Sequence, residues 1–316
     1  MISLGARRTP SLLDSADRSF LRERFGERAR FDESLAPYTS WKIGGPADVC
    51  IAIETSAELA DLLRWSFKRR LPRFVLGSGS NVLIGDGGIR GIVIRLGGEF
   101  AAIDVSTEAG SVVVSAGASA SLALLTAQAA SKGAVGIGSL AGIPGSVGGA
   151  LRMNAGTDKE IGDFVRDVWV QSPTKPDPHP ISVQYFYRHS SIGRDAIVAR
   201  VRLAFPQGDP ADVRADMNAR LRRRKETQPL QFPNAGSCFR NPPGDKAGRL
   251  IEAVGAKGWR VGGAEVSALH ANFIVNVDSA TALDVATLLA RVRRAVLEQF
   301  GVELQPEVHM VGEFLG

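Results

Sequence analysis

The sequence predicts an α+β protein of more than one domain, on three observations. The chain has 316 residues, about twice the ~150 typical of one domain. From Thr55 to Phe205, short β-branched runs alternate with stretches of helical period, and strand outweighs helix. Beyond Phe205 the texture changes to longer helices with few strands, as a separate α/β domain would have.

The elements follow in order. Residues 1–30 read as a polar, arginine-rich, partly helical leader without the apolar core of a secretion signal. Thr55 to Leu71 predicts a helix, with Thr55 and Glu58 as a capping box and Leu59, Leu62, Leu63 and Phe67 on one face. Strands are expected at Phe74–Leu76, Ile92–Leu96 and Ser111–Ala116, then a helix from Ser119 to Lys132 with Gly133 just past its end. Val165–Val170 and Ile197–Phe205 read as further strands. Asp209-Pro210 is an N-cap followed by proline at the first helical position, opening a helix to about Glu226. Ala247–Val254 is expected to be helical and Asn272–Val277 a strand. Thr281–Phe300 is a long amphipathic helix carrying Val285, Leu288, Leu289, Val292 and Val296 and closed by Gly301; a strand over Val302–Val311 follows.

Apolar residues at 44% and charged residues at 22% are the balance of a soluble protein with a sizeable core. Cys50 and Cys238 form no framework, which suits a reducing compartment, and the cytoplasm is the expected location. His179, His189, His270 and His309 lack metal-ligand spacing, so no metal is expected. The net charge of +5 and the run Arg220-Leu-Arg-Arg-Arg-Lys225 invite a nucleic-acid reading. That run continues a helix and has no interleaved aromatics for stacking, so no nucleic-acid partner is expected. An anionic small substrate explains the charge equally well.

The most informative stretch lies between Lys132 and Arg152, nineteen residues without a charge. Its seven glycines and Pro144 argue against a membrane helix, and no membrane association is expected. Glycine allows positive φ and close approach to the main chain, and bared amides form a cradle for phosphate. Gly142, Ile143, Pro144, Gly145, Ser146, Val147, Gly148 and Gly149 are one such candidate. Gly77, Ser78, Gly79, Ser80, Asn81 and Val82, after the strand-like Phe74–Leu76, are a second. Two cradles suggest a ligand with two phosphates, a dinucleotide. Neither tract fits the Rossmann fingerprint or a P-loop. Each alone is equally a structural loop.

Three reactive candidates lie elsewhere. Arg188 sits beside Tyr185 and Tyr187, where a guanidinium can take a carboxylate bidentately or form a surface ion pair. Ser237 lies in Asn234-Ala-Gly-Ser-Cys-Phe-Arg-Asn-Pro242, which is not a hydrolase nucleophile motif. Glu307 lies in Gln305-Pro-Glu-Val-His309. Singly, each also has a bland structural reading.

In combination they do not. The ordered set Gly77-Ser-Gly-Ser-Asn-Val-Leu83, Gly142-Ile-Pro-Gly-Ser-Val-Gly-Gly149, Met153-Asn-Ala-Gly156, Tyr187-Arg-His-Ser190, Asn234-Ala-Gly-Ser237, Phe239-Arg-Asn-Pro242 and Pro306-Glu-Val308 resembles the UDP-N-acetylenolpyruvoylglucosamine reductase family over residues 35 to 313. The resemblance implies a p-cresol methylhydroxylase-type FAD-binding domain over 31–206, in two subdomains divided near 72–76, then a smaller α/β substrate-binding domain over 207–316. It implies non-covalent FAD over the two loops with Asn154 and Gly156 nearby, since no histidine stands in the loops to attach it. NADPH is the implied reductant, UDP-N-acetylglucosamine enolpyruvate the substrate, and a monomer the expected state.

By the same resemblance, hydride passes from the flavin to the enolpyruvyl methylene carbon and Ser237 protonates the adjacent carbon. Arg188 and Glu307 steady the carboxylate and the developing charge. Lys225, Gln228 and Asn241 match positions near the substrate. No tyrosine follows Tyr187, so the chain resembles the shorter subgroup without the tyrosine loop. Gln228 stands where lysine is frequent, and Thr157-Asp158-Lys159 where Ala-Tyr-Gly commonly follows. The rival readings are a flavin oxidase of the same broad fold and a non-catalytic FAD-binding module of a larger complex.

Overall fold

The computed structural model describes residues 4–5 and 7–315. Contacts divide the chain into two units: Met1–Cys50, Gly79–Ile92 and Lys225–Gly316 form one, Ile51–Ser78 and Val93–Arg224 the other. This differs from the continuous division at 206/207 and from a separate leader over 1–30. Composition follows chain order, whereas long-range pairing returns the first fifty residues to the unit that also holds the chain's end. The units are termed below the terminal unit and the central unit.

The central unit is built on a five-stranded antiparallel sheet in the order His179–Ile181, Val165–Gln171, Ile197–Pro206, Ser111–Gly117, Ile103–Glu108. Along its middle strand Val201, Leu203 and Phe205 are buried while Arg200 and Arg202 face out, the alternation a one-sided sheet requires. The helices Leu122–Ser131 and Val147–Met153 pack on the apolar face through Leu122, Leu125, Ala129, Val147 and Leu151. Helix Ser56–Lys68 starts at Thr55 as expected, its hydroxyl accepting from Glu58 N–H at 3.2 Å. Two details differ. Glu58 reaches back to Glu54 N–H instead of to Thr55, and Phe67 is 53% exposed, because the buried stripe runs through Leu59, Leu62, Leu63 and Ser66. Helix Pro210–Thr227 uses part of its basic run internally. Arg220 bonds Asp158 at 2.7 Å and Asp216 at 3.0 Å.

In the terminal unit, helix Ala282–Phe300 buries Val285, Leu288, Leu289, Val292 and Val296 in one core with strands Ala264–Val266 and Ile274–Asn276 and helix Ala247–Ala253. Thr281 and Asp284 make a full capping box, Asp86 accepts from Ala282 and Leu283 N–H at 2.9 and 3.1 Å, and Gly301 closes the helix left-handed. The strand expected over 302–311 shrinks to His309–Val311, parallel to Val82–Ile84. Pro306 has no N–H to donate, so the stretch before it makes only an isolated bridge to Phe239. Helix Ser15–Phe25 buries Leu21 and Phe25 within this unit. Fully buried Asp48 binds Leu12 N–H at 3.0 Å, Gly91 N–H at 2.8 Å and Arg90 at 2.6 Å, fastening the N-terminal segment. No helix among the described residues is long and apolar enough to cross a membrane.

Candidate active site

Within the central unit the second glycine tract folds back on the start of the first. A Cβ on Gly77 would lie 2.7 Å from Ser146 Oγ, so the loops approach as closely as glycine permits. Leu76 N–H donates to Ile94 O at 2.9 Å and fixes the strand end that presents Gly77. Ser146 caps its helix by accepting from Gly149 N–H at 3.4 Å. The amides of this tract are only partly bare. Val147 and Gly148 donate to Ala120 O and Ala118 O at 3.0 and 2.8 Å, as buried N–H groups must find partners.

The resulting pocket is lined by Gly77 and Ser78 from the first loop, Ser146, Gly148 and Gly149 from the second, and Arg95, Ser119 and Arg152. Two observations fit it to a phosphate-bearing guest. Gly149 lies in a helix, where alanine is favoured by about 1 kcal/mol, and a Cβ there would meet only Ser146 Oγ, at 3.4 Å. Packing therefore gives no reason for glycine, whereas a ligand lying against the helix does. Ser119 Oγ is buried on the pocket wall without a hydrogen-bond partner, a deficit of about 1–3 kcal/mol that a ligand oxygen would remove.

Arg152 supplies the charge. Its guanidinium donates to Ile192 O at 3.5 Å, Gly193 O at 3.2 Å and Ala196 O, and no carboxylate pairs with it among the described residues. Burial lowers its pKa, the mark of a cation short of compensation. Arg152, Arg95 and Ser119 were missed from the sequence. Arg152 ends the uncharged tract, which was the signal available.

Other residues of the expected cradle also make contacts within the protein. Gly79 has φ +62°, and a Cβ would sit 2.2 Å from Tyr38 O; Gly142 at φ +74° packs against Leu221 and Arg224; Gly156 turns tightly over Lys159 O. Ser80 and Asn81 lead into strand Val82–Ile84, while Ile143 and Pro144 lead to Gly145 at φ +140°. Both asparagine amides are committed to protein partners. Asn81 Nδ2 donates to Glu307 O at 3.1 Å. Buried Asn154, itself left-handed, donates to Phe186 O at 3.1 Å and to Glu160 and accepts from Gly162 N–H at 3.0 Å.

In the terminal unit the fold brings Ser237 and Glu307 onto adjacent segments. Glu307 N–H donates to Cys238 O at 2.8 Å and Arg240 N–H to Gln305 O at 2.9 Å. Asn272 clamps the serine segment from the other side: its O accepts from Cys238 N–H at 2.8 Å, its Oδ1 from Phe239 N–H at 3.0 Å, and its Nδ2 donates to Phe239 O at 2.8 Å. Ser237 is half-buried, and its hydroxyl bonds no other group among the described residues. Neighbouring Cys238 is buried, and burial pushes its thiol up to about 12, which disfavours the reactive thiolate. Gln228 Oε1 is buried without a partner, Lys225 is exposed, and Asn241 Oδ1 accepts from Ala247 N–H at 3.0 Å.

Arg188 belongs to the central unit. It occupies the turn of a small hairpin, Tyr185–Phe186 against His189–Ser190, at φ +56°. Left-handed backbone costs a branched or bulky residue about 1–2 kcal/mol, and such strain clusters at functional sites. Its guanidinium lies 4.9 Å from the Tyr187 ring centroid and 3.6 Å from Glu160 Oε1.

Comparison with known proteins decides the family. The model of the UDP-N-acetylenolpyruvoylglucosamine reductase C-terminal domain matches residues 228–311, and that of an FAD binding domain matches 47–171. A UDP-N-acetylenolpyruvoylglucosamine reductase of Symbiobacterium thermophilum is 46% identical over 90% of this chain and 92% of its own length. The chain belongs to the UDP-N-acetylenolpyruvoylglucosamine reductase family. A reductase of this name from Myxococcus xanthus is 43% identical over 92% of the chain and 94% of its own length. The crystal structure of the Thermus caldophilus reductase superposes with a TM-score of 0.78 at 37% identity, covering 90% of this chain and all of that one. As a member of this reductase family the chain is an FAD-containing oxidoreductase with an FAD binding domain, and its architecture is α+β as expected.

Proposed function

We propose that the protein reduces UDP-N-acetylglucosamine enolpyruvate to UDP-N-acetylmuramate with NADPH, in the cytoplasm, as a monomer, for peptidoglycan precursor synthesis. The observation that carries this reading is the backbone pairing of Glu307 with Cys238, the residue next to Ser237, in a chain of this family. When bound, FAD supplies the hydride that reaches the enolpyruvyl methylene carbon. The chain's residues supply the rest. Ser237 Oγ gives its proton to the adjacent carbon, which a weak acid achieves only when positioned in a dry site. Arg188 holds the substrate carboxylate, and Glu307 steadies the charge that develops beside it. Lys225, Gln228 and Asn241 bind the UDP-sugar. The buried, unpartnered Oε1 of Gln228 supports its share, since a bound group would satisfy it.

Gly77, Ser78, Ser146, Gly148 and Gly149 leave room for the FAD diphosphate, and Arg152 and Ser119 bind it. The attachment is non-covalent, as no histidine stands in either loop. Purified protein is therefore expected to be yellow and to release FAD on acid precipitation. Flavin retained in the pellet would favour the oxidase reading; colourless protein that takes up no added FAD would end the flavin assignment for this pocket.

Replacing Arg152 by glutamine removes the cation yet keeps donors for the carbonyls of Gly193 and Ala196. Titration of apoprotein with FAD, followed by flavin fluorescence, is expected to show affinity weakened roughly 10–100-fold, about 1.4–2.8 kcal/mol. The salt dependence of binding should flatten as well. Unchanged affinity would make Arg152 a clamp for the Ile192–Ala196 turn and nothing more.

A further inference from the structure

The hairpin that carries Arg188 is not held by its own two strands alone. Asn154, at the end of helix Val147–Met153, sits at φ +45° and is buried. One amide spends itself three ways: Nδ2 donates to Phe186 O at 3.1 Å and to Glu160 Oε2, and Oδ1 accepts from Gly162 N–H at 3.0 Å. Glu160 is thereby gripped at one oxygen, and its other oxygen stands 3.6 Å from the Arg188 guanidinium. On a different side that guanidinium meets the Tyr187 ring, 4.9 Å from its centroid. A guanidinium presents five N–H donors in a fixed fork, so its orientation decides how it can meet a substrate carboxylate.

From this arrangement we propose that Glu160, anchored by Asn154, is a positioning residue that holds the Arg188 guanidinium ready for the substrate. The inference rests on the role given above to Arg188. It explains why an arginine is stable in a left-handed turn that would suit glycine or asparagine. Strain of this kind persists only where the surroundings over-determine it, and Asn154, Glu160 and Tyr187 are those surroundings. It also gives the Asn154 amide a task within the protein, that of fixing the Glu160 carboxylate.

A pH dependence follows. Burial lifts the Glu160 carboxyl above the usual range, Arg188 pulls it back, and Asp163 adds to the rise. Arg188 on the hairpin and Asp163 on the turn Ile161–Phe164 are the charged groups acting on it; Asn154 and Gly162 are neutral. The carboxylate is ionised above its raised pKa and protonated as pH falls through it. Below that point the ion pair with Arg188 is lost.

The test is rapid-mixing absorbance on the FAD-loaded enzyme. Bleaching by NADPH reports the first half-reaction, and recolouring by UDP-N-acetylglucosamine enolpyruvate the second. In Glu160→Gln, bleaching is expected to keep its rate, recolouring to slow about 10–100-fold, and the acid limb of the recolouring rate to disappear. Glu160→Gln in an Arg188→Ala background should add less than twofold, since both changes remove one interaction. Recolouring at the wild-type rate with the acid limb intact overturns the inference, as does full additivity with Arg188→Ala. If instead Arg188→Ala itself recolours normally, the role of Arg188 falls, and the proposal with it. Should Glu160→Gln fail to retain flavin, Glu160→Asp is measured the same way. That variant keeps the charge on a shorter arm, so slower recolouring with the acid limb preserved is expected, and wild-type recolouring overturns the proposal.

Discussion

Ser237→Ala is expected to retain FAD, to be bleached by NADPH at the wild-type rate, and to be recoloured by substrate about 10²–10⁴-fold more slowly. The serine hydroxyl is half-buried and bonded to no other described group, so its loss breaks no hydrogen bond of the fold. The segment around it is held by backbone bonds to Asn272 and Gln305 and by the Asn272 side chain, none of which involves the hydroxyl. A structural role would therefore leave both half-reactions intact. Arg188→Ala and Glu307→Gln should also slow recolouring while sparing bleaching, because the substrate they act on takes part only in the second half-reaction. A wild-type recolouring rate in Ser237→Ala would remove this serine from the chemistry.

Gly145→Val is expected to purify without flavin. At φ +140° the glycine lies outside what a β-branched residue adopts, and Val there would also crowd the turn that precedes the pocket. Because backbone strain contributes, Gly149→Ala separates ligand space from fold. In the helix, alanine should stabilise the protein by about 0.5–1 kcal/mol, and its Cβ meets only Ser146 Oγ, at 3.4 Å. Flavin affinity should nevertheless fall, since Gly149 lines the pocket. A raised melting temperature with weakened FAD binding is the expected pair of results. Unchanged affinity in Gly149→Ala together with normal FAD content in Gly145→Val would mark the tract as structural.

Much of this protein was legible before any coordinates. Helix Ala282–Phe300 shows its period and its Gly301 stop within one stretch of chain, and both appear as read. The glycine tracts and the Ser237, Arg188 and Glu307 motifs were found by their order, which carried the family resemblance that the comparisons bear out. Phe67 and the 302–311 strand were misread because period alone does not say where a neighbour ends.

What the sequence by itself determined, then, is local: helix limits set by side chains three or four residues from their backbone partners, strand faces, and the ordered motifs. Tertiary structure alone decided which glycine serves what. Gly79 yields to Tyr38 O and Gly142 to Leu221 and Arg224, whereas a Cβ at Gly149 would meet only Ser146 Oγ, at 3.4 Å. It alone set Glu307 beside Cys238, gave Asn81 the Glu307 carbonyl, and joined Asn154, Glu160 and Arg188. It alone left Arg152 in the pocket wall without a carboxylate partner among the described residues. The reason is physical. A cap or a hydrophobic face is satisfied within a few residues and leaves a period, while a contact between distant segments depends on folding of everything between them and leaves none.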